Sequence, residues 1–455
     1  MSKKILMILT AVLMVGMATS GFAAVQNVKV GGDITIRGIY RSNFDFTKDT
    51  IEGKKDSAGW LMTTTRIYVT SELTDGVTAV VRFINERDWN VEDNASTGID
   101  LDLAYIKLSD MLVPGLTATI GRQEILLGEG FVIGNSNARS IAGDPTAGTF
   151  NSNTVADIMA GDYTARKSFD AIRLDYEVAT VPLTLTGFVA KIGERYALSD
   201  GTGTDTDTGL DINLYGINAN YQLPTAELEG YFIHQANTRG TENSANELAL
   251  NTIGARIAHN IAAVPGLSWK GELAFQSGDI AGLEAKGSAG YIGGAYAFQD
   301  IVWEPKIGMT YFRYSGDDDV TDDDNSQWLT LFPDGCANRM GAISYARFGP
   351  APYGERIDEV IGGLQVIKVN GSIQPTEKLN LSLAWFNTKL LEVTTPGTKK
   401  DMGNEIDLGL TYAYSEDVTM GLLFGYFMKG DLIDQEYPND SADAMEIVGT
   451  VAVCF

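Results

Sequence analysis

Residues 444–455 read AMEIVGTVAVCF, with Met445, Ile447, Val451, Val453 and Phe455 apolar at alternate positions and an aromatic ring on the final residue. Alternation with period two marks a strand with two unlike faces. At the end of a soluble sheet such a strand is an unguarded edge, open to pairing with another chain. In a closed barrel it pairs with strand one and the edge disappears. If the apolar set meets lipid, Glu446, Val448, Thr450, Ala452 and Cys454 point inward. Glu446 is then expected in the lumen, and Cys454 as a buried thiol or one at the periplasmic rim.

The other end of the chain agrees. Lys3 and Lys4 precede an uncharged apolar run over 5–18, followed by Thr19, Ser20, Gly21, Phe22 and Ala23. This is the three-part layout of a secretory signal peptide, so residues 1–23 are expected to be removed and 24–455 to form one exported barrel. A run of about 14 residues is too short to cross a bilayer as a helix. The formal net charge of −25 becomes more negative once both lysines are lost, which argues against nucleic acid or anionic headgroups as partners. Cys336 and Cys454, the two cysteines, exclude a disulfide scaffold and are expected as free thiols on opposite sides of the membrane. Fifty glycines, 12 prolines and a mean hydropathy of −0.04 fit strands that hide their lipid-facing residues by alternation.

Period-two patterns mark strands near 28–46, 60–74, 77–89, 99–108, 115–123, 168–178, 182–194, 211–222 and 225–236. Nine more lie near 249–262, 267–279, 287–299, 301–315, 358–374, 378–392, 402–415, 417–431 and 443–455. The total of about 18 is even, as single-chain bacterial outer-membrane barrels require. The connections alternate in length: 74–76, 109–114, 179–181, 223–225, 263–266, 374–377 and 415–417 are tight. Between them 90–98, 124–167, 195–210, 237–248, 316–357 and 434–440 are long. Short periplasmic turns and long outer loops give this parity, whereas a soluble all-β fold has no reason to sort loops in this way. The predicted fold is an all-β transmembrane antiparallel β-barrel. Trp60, Trp89, Trp269, Trp303, Trp328 and Trp385 are expected mostly in interfacial girdles.

Several segments resemble the alginate-export family of outer-membrane porins: TIGRQEILLGEGFVIGN at 119–135, SFDAIRLDY at 168–176, LTLFPDG at 329–335, LNLSLAWFNTKL at 379–390 and NEIDLGLTYAYSEDVTMGLLFGYFMKGD at 404–431. The resemblance runs from about residue 28 to the C-terminus. It implies an 18-stranded pore, and in the alginate-secreting member a narrow channel lined with arginines that attract a polyuronate.

On the registers above, Arg37, Arg41, Arg66, Arg82, Arg173 and Arg256 face water, with Asp33, Glu72, Glu86, Asp102, Asp175, Glu272 and Asp407. Such arginines either concentrate carboxylated sugars or brace the wall as ion-pair ladders. No cofactor is expected, with the exception of Ca²⁺ at the outer acidic loop, where Asp317, Asp318, Asp319, Asp322, Asp323 and Asp324 offer hard oxygen ligands without EF-hand spacing. His234 and His259 stand apart, with no G-x-S-x-G or HExxH motif, so no enzyme is expected. Three functions follow: a pore for small polar or acidic solutes, including oligosaccharides, an alginate-like polyuronate exporter, or a barrel plugged by its own loops that serves a structural or surface-interaction role. Expected partners are outer-membrane lipid and lipopolysaccharide, the barrel-assembly machinery, and small polar solutes or acidic saccharides.

Overall fold

The computed structural model describes residues 27–48, 57–89, 98–136, 163–193, 210–239, 248–280, 282–319, 321–335, 337–348, 363–393 and 396–455. The expected signal peptide and Cys336 lie outside these residues.

Strand order in space follows chain order. The first nine strands are β1 (Asn27–Ser42), β2 (Ser57–Thr74), β3 (Val77–Asp88), β4 (Asp100–Leu108), β5 (Leu116–Glu124), β6 (Ser168–Val178), β7 (Leu183–Gly193), β8 (Leu210–Gln222) and β9 (Ala226–Arg239). They continue as β10 (Leu248–Asn260), β11 (Leu267–Ile280), β12 (Ser288–Ala297), β13 (Lys306–Tyr314), β14 (Leu364–Thr376), β15 (Leu379–Leu390), β16 (Asp401–Ala413), β17 (Val418–Lys429) and β18 (Ala444–Cys454). Every neighbouring pair is antiparallel, and β18 pairs with both β17 and β1, which closes an 18-stranded barrel. At the seam Asp33 stands opposite Cys454 and Ser42 opposite Met445, while Gly32 and Phe455 exchange both backbone hydrogen bonds at 2.9 and 3.0 Å. The terminal strand thus leaves no edge. Two short pieces, Leu283–Ala285 and Asp324–Asn325, pair with each other in parallel beside the loop end of β11.

Two expected strands are shorter in the structure. The segment expected from 301 starts at Lys306, because Asp300, Trp303 and Glu304 adopt positive φ in a turn. The strand expected to run to 46 stops at Ser42, where Asn43 and Phe46 turn the chain inward and bury Phe44 and Phe46.

Alternation then sorts the two faces. Ile217, Leu273, Ile292, Met309 and Leu383 point outward and are half or more exposed, an apolar band that only a hydrocarbon surround satisfies. The inner face is not simply polar. It carries charge along its length, with Arg41, Glu405 and Glu446 near the loop end, and beside them Phe188, Leu214, Ile233, Leu250, Phe312, Val366, Phe386 and Phe427 are buried. They form one apolar core with residues of the long loops. Trp328 belongs to that core, 6.5 Å from the Phe131 ring, and so departs from the expected interfacial girdle. Trp60 also faces inward, its ring 5.5 Å from the Arg41 guanidinium.

Candidate functional site

The loops that supply this core cross the lumen. After β5 the chain dips inward, burying Ile125, Leu127, Phe131, Val132 and Ile133. The loop after β13 meets it: Phe332 N–H donates to the Val132 carbonyl at 3.0 Å, Gly134 N–H to Phe332 at 2.7 Å and Asp334 N–H to Gly130 at 2.7 Å. Two helices follow, α1 (Ala337–Met340) and α2 (Ala342–Phe348). Together the segments form a partition held at both walls.

On one wall, Glu129 at the tip of the first loop accepts from Lys270 at 2.6 Å and lies 3.8 Å from Arg256. Gly128 makes this approach feasible. At φ +54° a side chain is strained, and a Cβ would lie 2.7 Å from Glu229 Oε2 and 2.9 Å from Arg256 Cδ. On the other wall, Glu405 accepts from the N–H groups of Ile343 and Ser344 at 2.7 and 2.8 Å, and Asp407 from Ala342 N–H at 3.1 Å. Two carboxylates thus satisfy the unpaired donors at the start of α2. Arg339 donates to the Glu129 carbonyl at 2.7 Å and Lys368 to the Asn338 carbonyl at 2.6 Å, tying the two sides together.

Against this partition the eight residues singled out from the sequence occupy the inner face, and all but Arg37 are held in ion pairs. Arg66 pairs with Asp33 at 2.9 Å, Arg173 with Asp175 at 2.9 Å, and Arg82 with Asp102 at 2.6 Å and with Glu124. Arg256 meets Glu227 at 3.2 Å and Glu229 at 3.4 Å. Arg41 pairs with Glu446 at 2.7 Å across the closing seam, and Tyr163 donates to the same carboxylate at 2.8 Å. Arg37 is the exception. Among the described residues its only hydrogen bond is to Thr64 Oγ1 at 3.4 Å and no carboxylate comes within salt-bridge distance; its guanidinium lies 5.7 Å from the Tyr163 ring. Glu86, a nearby acid, is taken by Thr164, Ala165 and Arg166.

Sequence reasoning missed Glu129, Glu229, Lys270, Arg339 and Glu405. The first and fourth sit in loops whose inward path has no periodic signal. Glu229 and Glu405 do share the lumen parity of Arg256 and Asp407, so alternation alone was enough to find them.

The outer acidic run is only partly solvated. Asp317 is buried. The Thr321 hydroxyl and N–H both donate to Asp319 and hold its carboxyl below the ordinary range, Asp322 accepts from Asp324 N–H, and Asp324 pairs with Lys286 at 2.5 Å. Among the described residues no three acid, histidine or cysteine side chains converge as metal ligands. His234 bonds Asn251 at 2.9 Å and His259 accepts from Trp269 at 3.1 Å, each within its own strand pair. Cys454 is exposed at the rim.

The family model described as alginate export matches residues 26–446. Among solved structures, the outer membrane protein OprD from Pseudomonas aeruginosa gives a TM-score of 0.55 at 11% identity, covering 96% of this chain and 97% of that one. OpdQ from Pseudomonas aeruginosa gives 0.56 at 10% identity, with 95% and 99% covered. OccK5 (OpdH) from the same organism gives 0.54 at 10%, with 96% and 100% covered. At these identities the likeness is one of fold. No curated protein sequence matches.

Proposed function

The chain belongs to the alginate-export family and lies in the outer membrane, and on that footing we propose that it is a narrow pore for acidic saccharides. Small polar solutes are its least demanding cargo and a polyuronate such as alginate its longest.

The observation that carries this reading is Arg37. It stands in the lumen with no carboxylate within salt-bridge distance among the described residues, while the other five arginines of the set are bound to carboxylates. A cation in a confined, low-dielectric passage raises the local concentration of carboxylated sugar, and one already neutralised does so far less. The paired arginines brace the wall, each pair adding little where water reaches it. Such transport is diffusion past fixed charges, with no bond made or broken.

Single-channel recording in planar bilayers tests it. Discrete conductance steps should appear, soluble oligouronate should reduce the current, and Arg37→Glu should relieve that block. Arg173→Glu should relieve it less, because Arg173 is already tied to Asp175. A block unchanged in Arg37→Glu would overturn the reading. A folded but silent barrel would favour the alternative, a barrel shut by its own loops, for which the packing of 125–135 against 328–348 is the supporting observation.

A further inference from the structure

The lipid-facing surface carries a charge pattern for which the pore has no use. In an acidic chain, basic side chains sit on this face at the loop ends of strands: Arg87 on β3, Arg122 on β5, Lys191 on β7, Arg313 on β13 and Lys389 on β15. Arg122 is neutralised by Asp170 at 2.9 Å, and Lys191 donates to Asn213 at 3.2 Å. On the other flank of the barrel no described carboxylate lies within salt-bridge distance of the basic side chains.

There Arg313 stands opposite Gln365, and Gln365 opposite Lys389. With strands about 4.8 Å apart, the two cations span roughly 10 Å around a neutral amide. Arg313 donates to the Ser288 hydroxyl at 3.2 Å, and the Tyr311 hydroxyl to Gln365 at 3.2 Å. Asp401 lies opposite Lys389 in register, but among the described residues no carboxylate comes within salt-bridge distance of Arg313 or Lys389. Directly toward the turn end the same strands present Met309, Val369, Leu383 and Trp385, all exposed to the bilayer.

The pattern is that of a binding face for an amphiphile. Arginine and lysine match phosphate oxygens, Ser288, Gln365 and Tyr311 offer hydrogen bonds to sugar hydroxyls, and the apolar band below takes acyl chains. Its place at the loop end selects the outer leaflet. We propose that Arg313, Gln365 and Lys389 dock a phosphorylated glycolipid of that leaflet against β13–β15. The overall negative charge, which by itself argues against anionic headgroups, leaves this patch with two cations against one carboxylate in register, Asp401. This proposal rests on which end of the barrel faces out and not on the cargo, so a pore of any selectivity is compatible with it.

The test uses the full-length protein in detergent micelles doped either with diphosphoryl lipid A or with lipid A stripped of its phosphates. Native mass spectrometry reads the bound lipid. The wild type should retain the phosphorylated form preferentially, and Arg313→Glu/Lys389→Glu should lower retention by roughly thirtyfold, given about 1 kcal/mol for each of the two basic residues at an anionic surface. Arg313→Lys/Lys389→Arg, which keeps both charges, should retain most of it. Heat-modifiable migration on gels confirms folding, and if the reversed variant does not fold, Arg313→Gln/Lys389→Gln is read in its place. Equal retention of the two lipids, or a reversed or neutral variant that holds lipid as the wild type does, would overturn the proposal. So would capture of inorganic phosphate as tightly as the lipid.

Discussion

Arg41 and Glu446 are each about 1% exposed and stand opposite one another where the last strand meets the first. Buried ions that face each other are stable as a pair and costly apart. Glu446→Ala should therefore destabilise the barrel by about 3–5 kcal/mol, read by urea unfolding in lipid vesicles, while Arg41→Met with Glu446→Leu should recover most of that loss. Equal stability of Glu446→Ala and the wild type would mean that the seam is held by backbone pairing alone. The same scale explains why Arg37 and Arg41, four residues apart on one face, have different roles. Arg41 has a partner 405 residues away, and Arg37 has none within reach among the described residues. No local pattern distinguishes them.

At the scale of elements, α2 is far too short to persist on its own in water. It stays helical inside the lumen because Glu405 and Asp407 complete its N-terminus and because Gly341, at φ +92°, leaves room for the Glu405 carboxylate. A Cβ at Gly341 would lie 2.5 Å from that carboxyl group. Gly341→Val should unseat α2. The expected result is a severalfold rise in single-channel conductance together with loss of amide protection over 342–348 by hydrogen exchange, while the strands remain protected. Gly128→Val should act from the opposite wall in the same direction, since its side chain would collide with Glu229 and Arg256. Unchanged conductance in both variants would mean that the partition does not limit flow. The two loops were visible in the sequence as long excursions of opposite composition, one rich in Gly, Ala, Ser and Thr, the other partly acidic. Length made an inward turn one of the readings, but their pairing through Ile133 and Phe332 was not legible, because a single bridge between segments two hundred residues apart has no periodicity.

For the molecule as a whole, stability and insertion depend on closure. Deleting 444–455 would expose unpaired edges on β17 and β1 in hydrocarbon, where no water can satisfy them, and the shortened chain should fail to give a heat-modifiable folded band on gels. A folded band of normal mobility would contradict the role given to the final strand. Alternation and loop parity determined the strand count, the barrel class and the face on which nearly every strand residue lies. These are properties of neighbours in sequence, and period two turns directly into inside and outside. The tertiary structure alone decided what fills the inside: which arginines are neutralised, that inserted loops pack an apolar core into the lumen, and that Arg37 has no carboxylate within salt-bridge distance among the described residues. Each of these depends on side chains brought together across the barrel from distant strands and inserted loops, and the charge of a site is set by what lies within a few ångströms of it, not by what lies beside it in the chain.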